Sequence, residues 1–129
     1  MSYGNSVTID APFAETVGRV RAALGEQGFG VLTEIDVTAT MRAKLGRHLE
    51  DYVILGACNP ALAHRALEAD RSIGLLLPCN VVVRAAASGT VVEALDPQVM
   101  VTLTGREDLE PVAEDAGRRL DAMLAAIAG

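Results

Sequence analysis

The stretch YVILGACNPALAHRAL, Tyr52 to Leu67, carries a strand, a corner and a helix in consecutive positions. Tyr52 to Cys58 is apolar without alternation, and such runs belong in the middle of a sheet. Asn59 then offers a side-chain oxygen to the free N–H groups of a helix start, and Pro60 suits the first turn, where no donor is needed. From Pro60 to about Asp70 the period becomes helical. Leu62, Ala63, Ala66 and Leu67 gather on one side, with His64, Arg65 and Glu68 on the other. A strand that runs through a cap straight into an amphipathic helix predicts a domain in which strands and helices pack on one another.

The flanks extend that pattern. SVTID (Ser6 to Asp10) alternates and is β-branched, so it predicts a short strand, and Asp10-Ala11-Pro12 predicts a helix start after it. Phe13, Val17, Val20 and Leu24 then form one apolar stripe, which Gly25 and Gly28 close. FGVLTEIDV (Phe29 to Val37) alternates as a strand, with Phe29, Val31, Thr33 and Ile35 on one face and Leu32, Glu34 and Asp36 on the other. Thr38 to Leu45 reads as a short helix ended by Gly46, followed by a polar loop. CNVVVRAAA and TVVEAL, joined through Ser88-Gly89, predict a hairpin. QVMVTLTG (Gln98 to Gly105) reads as one further strand. Leu109 to Ile127 is the clearest helix: Leu109, Val112, Ala113, Ala116, Leu120, Met123, Leu124 and Ile127 fill one stripe, with Pro111 in the first turn. The expectation is an α+β fold in one domain, a mixed, mainly antiparallel sheet with helices packed on one face. The bare face of such a sheet predicts a homodimer.

Composition narrows the function classes. The chain has 129 residues, half of them apolar, with aromatics at 3 % and no Trp. Its core must therefore be assembled from Val, Leu, Ile and Ala through many small contacts. A net charge of −6 with scattered basic residues argues against nucleic acid and anionic membrane surfaces. No apolar run approaches the ~18 residues of a membrane span, and the first residues lack the basic-then-apolar pattern of a secretory signal. The cytoplasm is the expected compartment, where two cysteines are expected to remain thiols.

Sequence motifs for a dinucleotide turn, a phosphate loop, a nucleophile elbow and a Cys-x-x-Cys pair are all absent. What remains is a set of placed side chains. Cys58 stands just outside a helix N-terminus, where free N–H groups and the dipole favour a thiolate, against the alternative that it is a small core residue. Cys79 opens the next strand and could meet it if the strand ends are neighbours. The pair would then take a soft transition metal, with His48 or Glu34 as a third ligand, or cycle between dithiol and disulfide. Glu34 lies on a strand face where burial could raise its pKa, or where Lys44 could pair with it.

GFGVLTEIDVTATMRAKLG (Gly28 to Gly46), YVILGACNPALAHRAL and IGLLLPCNVVV (Ile73 to Val83) together resemble the bacterial and archaeal domain of unknown function 302. The Gly56 to Pro60 turn and Leu77-Pro78 are its most specific parts. The resemblance implies a compact α+β domain, often a dimer, with no established activity. Many relatives carry Asp-His where this chain has Asp36-Val37, so a site built on that histidine is not expected here. By resemblance the cluster to examine is Glu34, Lys44, Cys58, Asn59 and Cys79. Three functions stand open: a homodimeric binding module for a small ligand or soft metal at the Cys58-Asn59 corner, a thiol-based sensor or enzyme using Cys58 and Cys79, and an interaction protein without a site.

Overall fold

The computed structural model describes residues 3–129. Five strands, β1 (Gly4–Ile9), β2 (Gly30–Asp36), β3 (Tyr52–Cys58), β4 (Cys79–Ala86) and β5 (Gly89–Leu95), form one sheet in the order β1-β5-β4-β3-β2. Every neighbouring pair is antiparallel, so the sheet is fully antiparallel rather than mixed. The apolar run Tyr52 to Cys58 lies inside it, between β4 and β2, as a strand without polar alternation should.

Helices α1 (Phe13–Glu26) and α5 (Glu110–Ala128) cover one face. Beneath them, Val53, Leu55, Ala57, Cys79, Val81, Val83, Val92 and Ala94 are buried and alternate along their strands. All eight residues of the C-terminal stripe are buried, and the helix begins one residue later than its periodicity predicts because Glu107–Leu109 forms a 3₁₀ turn.

The short helices α2 (Val37–Leu45) and α3 (Pro60–Ala69) fall where the sequence predicts them. Asp36 caps α2 by accepting from the Ala39 N–H, and Gly46 ends it in the left-handed conformation at φ 63°. Asn59 caps α3 by accepting from the Leu62 N–H at 3.1 Å.

Two expectations are corrected. Gln98–Thr104 is a helix, α4, and not a strand. Its start uses the same device as α3, an acceptor followed by proline: Asp96 accepts from the Gln98 N–H, and Pro97 precedes the first turn. The β-branched run is overruled because Met100 is buried against the C-terminal helix layer, giving the segment a single apolar side. The second correction concerns β2. Val31 pairs with Ala57 but Thr33 pairs with Gly56, so Leu32 is an extra residue in a bulge. Past a bulge the two faces exchange. Glu34 and Asp36 therefore sit opposite Leu55 and Val53 on the helix-covered side, while Thr33 and Ile35 turn to the bare side.

The core divides into two clusters. The larger lies between the sheet and the helices α1 and α5; the smaller gathers Leu62, Ala66, Ile73, Met100, Leu109 and Val112 beyond the end of the sheet. Helix α5 spans both, with Val112, Ala113 and Ala116 in the smaller and Leu120, Met123 and Leu124 in the larger.

Candidate functional site

The two clusters do not close on each other completely. A cavity of about 30 Å³ remains at their junction, where β3 ends and β4 begins. Phe29, Ala57 and Cys79 line it from the larger cluster, Leu62, Met100 and Ala116 from the smaller, and Cys58, Asn59 and Pro78 at the strand ends. No charged side chain contributes to the lining.

Cys79 is brought there by sheet register. It pairs with Ala57, so it stands one position from Cys58 on the adjacent strand. Both cysteines are free thiols. Cys79 is 7 % exposed. Burial, and secondly the charge that Cys58 would carry as a thiolate, push its pKa up to about 11. Cys58 is half-buried, at the mouth. Met100 enters from α4, 2 % exposed.

The corner is tightly built. A Cβ at Gly28 would lie 3.0 Å from the Asn59 side-chain nitrogen and 3.1 Å from Arg119 Nη1, and Gly28 holds φ +83°. Only glycine suits a left-handed residue in that space. Arg119 donates from Nη1 to the Gln27 carbonyl at 2.9 Å and from Nε to Asp115 at 2.9 Å, which fixes the guanidinium beside Asn59. At Gly56 a Cβ would collide with Thr33 Oγ1 and lie 2.8 Å from Pro78 Cγ, so the Leu77-Pro78 segment lies directly on β3.

Of the sequence candidates, Cys58, Asn59 and Cys79 share this cavity, and Glu34, Lys44 and His48 do not. Glu34 is on the edge strand and pairs with Arg21 of α1 rather than with Lys44. Lys44 is exposed in the last turn of α2. His48 lies in the loop that leads into Tyr52, whereas Cys58 ends the same strand. Seven residues of strand rise about 20 Å, so His48 cannot join the cysteines as a metal ligand. Among the described residues no three His, Cys, Asp or Glu side chains come together to hold a metal. Two contributors escaped the sequence. Met100 was hidden by the strand reading of its segment, although Asp96-Pro97 signalled a helix start. Arg119 shows itself only once α5 is laid against the loop after α1.

The bare face of the sheet has a different character. Tyr52, Ile54, Val82, Val91 and Leu95 are half-buried there and Ile35 is 48 % exposed. Arg84 donates to Glu93 at 2.9 Å in its middle, and this hydrogen bond raises the Arg84 pKa. No helix among the described residues is long and apolar enough to cross a membrane.

A five-stranded antiparallel sheet backed by two helices, with a small apolar cavity at the cap of α3, defines an α+β domain with a cysteine-lined corner. The model of the family "Domain of unknown function DUF302" matches residues 5–127, and the chain belongs to that family. The crystal structure of an uncharacterized conserved DUF302 protein from Bacillus stearothermophilus is similar over 98 % of both chains, at 30 % identity and a TM-score of 0.90. No curated protein matches the chain.

Proposed function

We propose that this protein is a homodimeric binding module whose site is the cavity at Cys58, Asn59 and Cys79. The observation that carries the reading is that both cysteines and the capped helix N-terminus line one partly open pocket between the two core clusters. A helix N-terminus supplies directed N–H groups and a positive partial charge, and apolar walls strengthen any polar contact made inside them. The absence of charged residues from the lining favours binding over proton-transfer chemistry, which would require a base in reach of its substrate. The high Cys79 pKa weighs against Cys79 itself as an attacking thiol, because the thiolate is the attacking species.

The bare sheet face is assigned to a second copy. Its half-buried valines, Ile54 and the two tyrosines Tyr3 and Tyr52 surround the Arg84–Glu93 pair, so apolar area and a charge pair lie on one surface, the composition that an isologous contact with a second copy would use. A groove of about 220 Å³ between Tyr3, Tyr52, Asn80 and Leu95 gives this face relief with room for a partner side chain.

Melting temperature tests the cavity. A panel of soft metal ions, small anions and small thiols is applied to the reduced protein and to Ala66→Val, which adds two carbons to a fully buried wall of the cavity. A binder at about a hundredfold excess over its Kd stabilises by ~2.7 kcal/mol, a shift of several degrees. Loss of that shift in a folded Ala66→Val protein supports the site; an unchanged shift, or none with any member, contradicts it.

A further inference from the structure

Helix α2 and the loop after it differ in charge from the rest of the surface. From Val37 to Leu49 the chain has no acidic residue and carries Arg42, Lys44 and Arg47. Of the 11 basic residues three lie here, so the remaining eight stand against all 17 acidic ones, a net charge of −9. Six of those eight are ion-paired: Arg19, Arg21, Arg84, Arg106, Arg118 and Arg119 each meet a carboxylate. Among the described residues Arg42, Lys44 and Arg47 make no such pair, and all three are exposed. Asp36 is engaged at the opposite end of the helix, where it accepts from the Ala39 N–H.

The three charges stand on one fixed turn. At the start of α2 the Thr38 hydroxyl donates to the Glu50 carbonyl at 2.6 Å and accepts from the Tyr52 N–H at 2.8 Å. At its end the Gly46 and Arg47 N–H groups donate to the Arg42 and Met41 carbonyls at 3.0 and 3.3 Å. Yet no residue of α2 is buried, and Leu45 is 66 % exposed. The helix dipole accounts for basic residues in the last turn. It does not account for Arg47 in the loop or for the exposed leucine between Lys44 and Arg47.

We propose that α2 and the loop after it are a docking surface for a short acidic segment of another protein, its carboxylates set against Arg42, Lys44 and Arg47 and an apolar side chain against Leu45. The charge map selects that class of partner. A helix of this length spans about 14 Å, little more than the ~8 Å over which exposed charges act at physiological salt. Nucleic acid or an anionic membrane extends well past that footprint and meets the −9 remainder. A short peptide stays within it. Because the turn is ordered beforehand, only the partner loses conformational freedom on binding. None of the residues lining the cysteine cavity belongs to α2 or its loop, so failure of this surface leaves the cavity reading untouched.

The test is fluorescence anisotropy of the full chain with a labelled peptide of alternating Glu and Leu, and with its Gln counterpart as control. The Glu peptide is expected to bind and the Gln peptide is not, and binding should weaken as salt is raised. Arg42→Ala, Lys44→Ala and Arg47→Ala each remove one exposed contact and should weaken it about threefold. The triple variant Arg42→Glu, Lys44→Glu, Arg47→Glu should abolish it while the circular dichroism spectrum is retained. Arg65→Glu with Arg71→Glu, at the two other arginines without an ion pair among the described residues, changes charge elsewhere and should leave binding intact. No binding of the Glu peptide, equal binding of the Gln peptide, or an equal loss in the Arg65→Glu, Arg71→Glu protein would overturn the surface. Tighter binding of a single-stranded oligonucleotide or of phosphatidylserine vesicles, abolished by the same triple variant, would overturn the acidic-segment class.

Discussion

Cys79 sits in the sheet as a neutral thiol, and its environment makes a pH-dependent contribution to stability. An unfolded thiol loses its proton near pH 9.0, whereas the folded one holds it to about 11. The stabilisation is therefore complete below pH 9 and is lost as pH rises from about 9 towards 11. Two pH units correspond to ~3 kcal/mol at most, since each is worth about 1.4 kcal/mol. Urea unfolding at pH 8 and pH 10 should show this loss in wild type and a flatter dependence in Cys79→Ala. Under native conditions iodoacetamide should modify Cys58 and spare Cys79, by mass spectrometry of the digested protein. A second tightly packed residue near the site is Gly56. Gly56→Ala drives a Cβ into Thr33 and Pro78, and such overpacking costs about 1–3 kcal/mol. The urea midpoint of the variant should fall accordingly.

Among the elements, helices α3 and α5 were the most legible, and α4 and the details of β2 the least. Helix α3 follows from Asn59-Pro60 and a change of period, both local signals, and α5 from eight apolar positions that keep one stripe. Helix α4 was misread because Val99, Val101 and Thr102 favour strands locally, while the burial of Met100 that outweighs them is a tertiary fact. The bulge at Leu32 was invisible for a related reason: an extra residue leaves the alternation intact on each side and is exposed only by the partner strand. It also explains the fate of Glu34, which reaches the helix-covered side and finds Arg21 of α1. The cap of α3 is an element-level determinant of the cavity mouth. Asn59→Ala should lower stability by about 1 kcal/mol, the usual value of a lost cap, measured by thermal or urea unfolding. Asn59→Asp, which keeps the accepting oxygen at the helix start, should restore most of it.

At the scale of the molecule, the pairing of Ala57 with Cys79 joins the two cysteine corners at one end of the sheet, and the length of β3 keeps His48 away from them. Half of the candidate site was thus readable from strand ends and caps. The other half required the register, the position of α4 and the packing of α5, none of which local periodicity contains. The bare face makes a separate prediction. Sedimentation should give twice the mass of the chain, and Val82→Asp, which sets a charge in the middle of that face, should raise the dimer dissociation constant about 100-fold or more, equivalent to ~3 kcal/mol, while the monomer keeps its helical signal. The most direct measurement of the central claim is a two-dimensional nitrogen-15 NMR spectrum of the reduced protein before and after addition of the soft metal ion, small anion or small thiol that gives the largest melting shift. Shift changes confined to the amides of Cys58, Asn59, Leu62, Cys79 and Met100 are the predicted result; an unchanged spectrum, or changes centred on Lys44 and His48 at the far end of β3, would contradict it.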